Sequence, residues 1–264
     1  MKELFHYPKD HIYLCSHSVG LRPQKTPWTH RFYQLWQEKG APGWPEWISF
    51  IEEARNKLAL LLNTSSSQLC PQVNISSAIA KIIPSLAKDS YKNKILLSER
   101  DFPTIGYSIE GVSQGEYSCV YIPKHEDITK LETWDNYLTN NDISIAHITH
   151  ATSHTGTLLP INDICNLCKE KNIYSIIDIA QSVGSQVIDL GSCNADFALG
   201  SSIKWLCGGP GAAFLWVAKN TIELCAPKDR GWFSQDDPLS KDIHSFSYSP
   251  DAKRFLGGTP NILP

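Results

Sequence analysis

The sequence Tyr174-Ser-Ile-Ile-Asp178-Ile-Ala-Gln181 places a single carboxylate at the end of an apolar run. A second run, Phe197-Ala-Leu-Gly-Ser-Ser-Ile-Lys204, ends in two hydroxyl residues and a lysine, and the turn-forming stretch Cys207-Gly-Gly-Pro-Gly211 follows. Both runs have the length of strands in a parallel sheet. Ligands of open α/β sheets bind outside the carboxyl ends of the strands, so we expect Asp178 and Lys204 to line a ligand site.

The two residues together predict a pyridoxal 5′-phosphate (PLP) site. PLP enzymes need a lysine that forms a Schiff base, and a carboxylate that keeps the ring nitrogen protonated. Lys204 and Asp178 are therefore the candidate catalytic residues. Buried carboxylates are rare unless they are paired, and a pyridinium N–H would be such a pair for Asp178. The alternatives are a helix N-cap for Asp178 and an ordinary surface position for Lys204.

Composition limits the class of protein. The chain has 264 residues, enough for one large domain or two small ones, and its 42% hydrophobic and 19% charged residues are those of a soluble globular protein. The net charge of −3 gives no basic surface for nucleic acid. No apolar run approaches the ~20 residues of a membrane span, and the first residues lack a signal-peptide core. We therefore expect a cytoplasmic protein.

The eight cysteines are scattered, and the sequence does not predict a metal site. Cys165 and Cys168 form a C-x-x-C, but they lie within a helical pattern and have no second ligand pair at zinc spacing. We interpret them as core residues.

Short apolar runs alternate with helical patterns along most of the chain. This alternation predicts an α/β protein with three layers, α/β/α, around a mostly parallel sheet. A short strand is expected at 12–15, and residues 228–264 are expected to form loops. Helices are predicted at 26–38, 45–62, 104–114, 127–138 and 161–171, and strands at 94–98, 119–123, 143–149, 174–178, 196–199 and 212–217.

Residues in three further segments could hold a cofactor. Ser76 and Ser77 open a helical pattern after Asn74, where free N–H groups can bind a phosphate, although a plain helix cap explains them as well. Ser201 is placed for the same phosphate, together with its neighbour Ser202. Phe102 follows a predicted strand and could stack on the ring, or it could be a core residue.

These motifs resemble the class V aminotransferase group of PLP fold-type-I enzymes, and within that group the kynureninases. The resemblance covers essentially the whole chain. It is carried by Asp178-Ile-Ala-Gln181, Ser201-Ser-Ile-Lys204, Phe102-Pro-Thr104, Gly231-Trp-Phe233, Gly257-Gly-Thr-Pro260 and the segment from Ile12 to Pro23.

The resemblance implies further roles. Gln181 would contact the ring hydroxyl and Thr149 would lie near the ring. Trp232 and Thr259 would reach the phosphate of a neighbouring subunit in a homodimer with its site at the interface. The chain departs from the kynureninases at Ile203, where they have tyrosine, at Gln181, where they have histidine, and at His17, where they have asparagine.

The family implies a PLP-dependent enzyme that acts on a small amino acid, with kynureninase-like C–C hydrolysis favoured. Transamination, epimerisation or cysteine desulfuration on the same scaffold remains open, and so does an inactive remnant. We expect residues 1–264 to be the PLP-binding large domain with its N-terminal segment. The family's small C-terminal domain would be absent from this chain.

Overall fold

The computed structural model describes residues 2–87, 91–240 and 242–262. Its centre is a seven-stranded sheet in the order β1-β7-β6-β5-β4-β2-β3. The strands are β1 (Leu69–Gln72), β2 (Lys94–Ser98), β3 (Ser118–Ile122), β4 (Ile143–Thr149), β5 (Tyr174–Asp178), β6 (Phe197–Ser201) and β7 (Ala213–Val217).

The five strands from β3 to β6 run parallel, and β7 runs antiparallel to both β6 and β1. The prediction of a mostly parallel sheet is confirmed. The sequence analysis missed β1, whose four residues include Pro71. Proline lacks a backbone N–H and is usual only where a strand borders a sheet, which is the place β1 occupies.

Helices cover both faces of the sheet, as predicted for three layers. The helices are α1 (Pro27–Lys39), α2 (Trp44–Leu61), α3 (Ile75–Ile82), α4 (Thr104–Ser113), α5 (Leu131–Asn140), α6 (Ile161–Glu170) and α7 (Lys219–Ile222).

Alternate residues of each central strand supply the two apolar layers. Ile145 and Ile176 belong to the cluster under α3 and α4, whereas Ala146 and Ile177 belong to the cluster under α5 and α6. Asp178 follows Ile176 by two residues and therefore lies on the α3–α4 side.

Two predicted elements differ from the structure. Residues 12–15 form no strand, because they pair with no strand of the sheet, and Ile12 and Leu14 are 88% and 78% exposed. α5 begins at Leu131 rather than at 127, because the Asp127 side chain accepts hydrogen bonds from the backbone N–H and the hydroxyl of Thr129 and forms a turn.

The C-terminal part is mostly loop, as expected, with short 3-10 helices at Trp232–Ser234 and Ala252–Phe255. Cys165 and Cys168 are buried core residues of α6. Within the three described ranges, no helix is both long and apolar enough to cross a lipid bilayer.

Candidate active site

The carboxyl ends of β2, β4, β5 and β6 lie side by side in the sheet. Each is followed within a few residues by polar side chains: Asp101 after β2, Thr149 at the end of β4, Asp178 at the end of β5 and Ser201 at the end of β6. The structure therefore brings together residues that are separated by up to 100 positions in the chain.

Asp178 is buried, with 8% of its surface exposed. Its Oδ1 accepts a hydrogen bond of 2.8 Å from the backbone N–H of Ala180. Burial raises the pKa of Asp178, and the nearby charges of His147 and Lys204 only partly oppose that rise. The residues after Asp178 form a turn and not a helix, so the N-cap alternative does not hold. The carboxylate is thus a buried acceptor that a cationic N–H would stabilise.

Lys204 lies in the turn between β6 and β7 and is partly buried. The turn is closed by hydrogen bonds from the Cys207 N–H to the Lys204 carbonyl, at 3.0 Å, and from the Gly208 N–H to the Ser202 carbonyl, at 2.8 Å. Burial lowers the pKa of Lys204, while the charge of Asp178 opposes that shift. A lysine with a lowered pKa is neutral more often and is a better nucleophile. Lys204 is therefore not an ordinary surface lysine.

The N-terminal segment 16–21 packs against the Lys204 turn. The Gly20 N–H donates to the Ile203 carbonyl over 2.6 Å. Gln181 joins the two parts: its Nε2 donates to the His17 carbonyl at 3.0 Å, and its Oε1 accepts from Trp205 Nε1 at 3.3 Å. These contacts fix Gln181 beside the turn, and they were not predicted from the sequence.

Ser76 and Ser77 lie in the first turn of α3. Asn74 is the N-cap of this helix, and its side chain accepts a 2.8 Å hydrogen bond from the Ser77 N–H. Both hydroxyls lie at the positive end of the helix dipole, where a phosphate would be stabilised. Ser202 is already engaged, since its hydroxyl donates to the Ala212 carbonyl at 2.8 Å. Ser201 lies at the end of β6 and is partly exposed.

Phe102 is 56% exposed at the carboxyl edge of the sheet, immediately before α4. The core alternative is excluded by that exposure. A large aromatic ring held open to solvent at this edge is available to stack on a flat ligand.

Trp232 and Thr259 lie in two loops that touch each other. Gly231 approaches Gly257 so closely that a Cβ on Gly231 would lie 2.3 Å from the Gly257 carbonyl oxygen. Trp232 packs edge-on against Trp44 and is 38% exposed. Thr259 is exposed and lines, with Ser202, an apolar cavity of about 470 Å³. Neither Lys204 nor Asp178 lines that cavity, so it adjoins the candidate site and is not the site itself.

The sequence analysis missed Asp101 and His147. Thr149 Oγ1 donates to Asp101 Oδ1 at 2.6 Å, and His147 Nδ1 lies 3.2 Å from Asp101 Oδ2. The side chains of His147 and Asp101 are 1% and 7% exposed. A histidine inside the apolar strand Ile143–Thr149 was the available signal.

The residues present fit PLP. The donor set comprises a lysine with a lowered pKa, a buried carboxylate that needs a cationic partner, an exposed aromatic ring, and hydroxyls at a helix N-terminus. These are the groups that bind the aldehyde, the ring nitrogen, the ring face and the phosphate of this cofactor.

A comparison with protein families agrees with this chemistry. The family model described as "Aminotransferase class-V" matches residues 45–264. This chain belongs to the class V aminotransferase family. The cofactor of this class V chain is PLP.

Similar sequences include kynureninases. The chain is 29% identical to the kynureninase of Deinococcus radiodurans over 98% of its own length and 64% of that protein's. It is 26% identical to an uncharacterized aminotransferase of Bacillus subtilis, over 99% of its own length and 68% of the other. It is 25% identical to the kynureninase of Pseudomonas fluorescens, over 99% and 64%. The chain thus spans just under two thirds of the length of these kynureninases.

Solved structures share the fold. The cystine C-S lyase C-DES, in complex with cysteine persulfide, superimposes with a TM-score of 0.82 at 20% identity, over 93% of this chain and 66% of that one. The cysteine desulfurase of Thermococcus onnurineus gives 0.77 at 15% identity, over 95% and 64%. These matches establish the fold-type-I architecture expected from the sequence.

Proposed function

We propose that this class V protein acts on an amino acid through PLP bound covalently to Lys204, and that its reaction is kynureninase-like hydrolysis of a C–C bond. One observation carries the proposal: Asp178 is buried at the end of β5, and the partly buried Lys204 lies in the turn after the neighbouring strand β6, near enough for the two charges to interact. The kynureninases among the similar sequences support the choice of reaction.

Each residue would have a role that follows from its position around the cofactor. Lys204 Nζ would attach the cofactor and afterwards accept the proton from the substrate Cα. Asp178 would hold the proton on the ring nitrogen, and Phe102 would cover one ring face. When bound, PLP supplies an electron sink for the charge that develops at Cα. Gln181 and Thr149 would lie beside the ring.

The phosphate would be held by Ser76, Ser77 and Ser201. Here the α3 N-terminus offers N–H groups as well as hydroxyls, so binding uses both hydrogen bonds and the helix dipole. In a homodimer, Trp232 and Thr259 would complete the phosphate site of the neighbouring subunit. Their two loops are fixed to each other by the hydrogen bond from the Phe233 N–H to the Gly257 carbonyl, at 3.2 Å.

The first test is covalent trapping. The purified chain is mixed with PLP, reduced with borohydride and digested, and the modified peptide is identified by mass spectrometry. We expect the adduct on Lys204, its loss in Lys204→Ala, and no change in Lys219→Ala, which alters an exposed lysine of α7. An adduct of equal yield in Lys204→Ala would refute the assignment.

The second test identifies the reaction. Kynurenine hydrolysis at the Cβ–Cγ bond consumes water and releases anthranilate and alanine, which fluorescence and amino-acid analysis detect separately. The cystine lyase and cysteine desulfurase folds favour C–S cleavage as the second candidate. That reaction would release sulfur as persulfide or sulfide and no anthranilate. Turnover of cysteine or cystine without turnover of kynurenine would replace the first reaction by the second.

A further inference from the structure

A buried histidine sits between two carboxylates at the carboxyl edge of the sheet. His147 lies on β4, with Asp101 on one side in the turn after β2 and Asp178 on the other at the end of β5. Residue pairing sets Thr149 opposite Asp178, and His147 and Thr149 are two positions apart and so face the same side of the sheet. His147 is therefore the diagonal neighbour of Asp178.

Asp101 anchors the imidazole. Its carboxylate contacts three groups: the Ser98 N–H at 2.9 Å, the Thr149 hydroxyl at 2.6 Å and His147 Nδ1 at 3.2 Å. Its side chain is 7% exposed, so solvent contributes little to holding it. With Nδ1 taken by Asp101, the other nitrogen of His147, Nε2, is buried and has no hydrogen-bond partner among the described residues. A buried polar atom without a partner lowers the stability of the fold.

The charges around His147 favour its protonated form. Burial alone would lower the pKa of His147, but the carboxylates of Asp101 and Asp178 outweigh it and the pKa is raised. Other titratable groups act on His147 only through its two carboxylate neighbours: Lys204 interacts with Asp178, and Tyr121 of β3 interacts with Asp101. An imidazolium here would in turn favour the ionised form of Asp178, the form that a protonated ring nitrogen requires.

We propose that His147, anchored by Asp101, is a positioning residue that keeps Asp178 ionised for the ring nitrogen of the cofactor. The row Asp101, His147, Asp178 and the pyridinium then alternates in sign, so each buried charge has an opposite neighbour. This inference rests on the proposed role of Asp178 in holding PLP.

The test compares PLP with its 1-deaza analogue, in which carbon replaces the ring nitrogen. His147→Asn keeps a donor near Asp101 but removes the positive charge. We expect it to weaken PLP binding about tenfold, because without the imidazolium Asp178 is ionised less often. Binding of the deaza analogue, which gives Asp178 no N–H to hold, should not change. His125→Asn, at an exposed surface histidine, should alter neither affinity.

A second readout needs no cofactor. The NMR signal of His147 is identified as the one that His147→Asn lacks. In the unloaded chain this signal should titrate with a pKa above the ordinary histidine value of about 6.5, and Asp101→Asn should lower that pKa. Equal weakening of PLP and deaza-PLP binding by His147→Asn would show a merely structural role and overturn the inference, as would a His147 titration below 6.5.

The same affinities separate this inference from the proposed function. If Asp178→Asn weakens PLP but not the deaza analogue, while His147→Asn affects neither, only the role of His147 fails. If Asp178→Asn leaves the affinity for PLP unchanged, the proposed cofactor contact fails and the role of His147 fails with it.

Discussion

Replacing Gly20 by alanine should detach the N-terminal segment from the Lys204 turn. A Cβ at this position would lie 2.0 Å from the Lys204 carbonyl oxygen and 2.9 Å from the Cys207 Cα. Both are backbone atoms, so no side-chain rotation can relieve the conflict. Gly20 does not have a positive φ, so the whole penalty comes from the contact and none from backbone strain.

The expected loss follows from two effects. The segment must move by roughly 1 Å or more to reach van der Waals contact, which breaks the 2.6 Å hydrogen bond from the Gly20 N–H to the Ile203 carbonyl. That bond contributes about 1 kcal/mol, and overpacking of a tight contact costs about 1–3 kcal/mol. We expect Gly20→Ala to lower the free energy of unfolding by about 2–4 kcal/mol.

Urea unfolding measures the loss, and limited trypsin digestion tests its location. Release of the segment should speed cleavage after Lys25, which lies just before α1. Gly111→Ala is the matched control, because it makes the same chemical change in the last turn of α4, where no atom lies within 4 Å of the added Cβ. It should stabilise the protein by about 0.5–1 kcal/mol. A Gly20→Ala protein with wild-type stability and wild-type cleavage would refute the reasoning.

Three other substitutions test the site and its support. The pKa of Asp178 is higher in the folded state than in the unfolded state. Above the unfolded value of about 4, the folded state therefore binds more protons than the unfolded state. The free energy of unfolding then falls as pH rises through the folded-state pKa. Asp178→Asn should therefore stabilise the unloaded chain at neutral pH in thermal melts, while weakening PLP binding; a less stable variant would contradict this. Arg55→Ala should cost about 3–5 kcal/mol in urea unfolding, because the guanidinium is 4% exposed and binds the Asp251 carboxylate, which is 19% exposed, and two backbone carbonyls. Lys57→Ala, which breaks an exposed ion pair, should cost about 0.5 kcal/mol. Asn74→Ala removes the cap that accepts from Ser77 and should cost about 1 kcal/mol, whereas Asn74→Asp should restore most of it. Equal stability of the two Asn74 variants would show that the cap contributes nothing.

The local sequence pattern predicted the elements well where a segment is apolar along its whole length and becomes buried. The strands at 143–149 and 174–178 were predicted with the bounds that the structure has, because their apolar runs are continuous and are buried on both faces. The prediction of a strand at 12–15 was wrong, because these residues stay exposed and pair with no other strand. A strand needs a partner, and the place beside β7 belongs to the four residues of β1, whose proline and glutamine gave no strand signal.

The sequence by itself determined that Asp178 and Lys204 follow strands of a mostly parallel sheet. Parallel strands have their carboxyl ends at one edge of the sheet, so both residues had to lie at that edge. Only the tertiary structure decided what surrounds them. The N-terminal segment lies against the Lys204 turn, and Asp101 anchors His147 beside Asp178. Those contacts join residues far apart in the chain. Local periodicity and turn motifs cannot predict them, because such residues come together only through the order of the strands in the sheet.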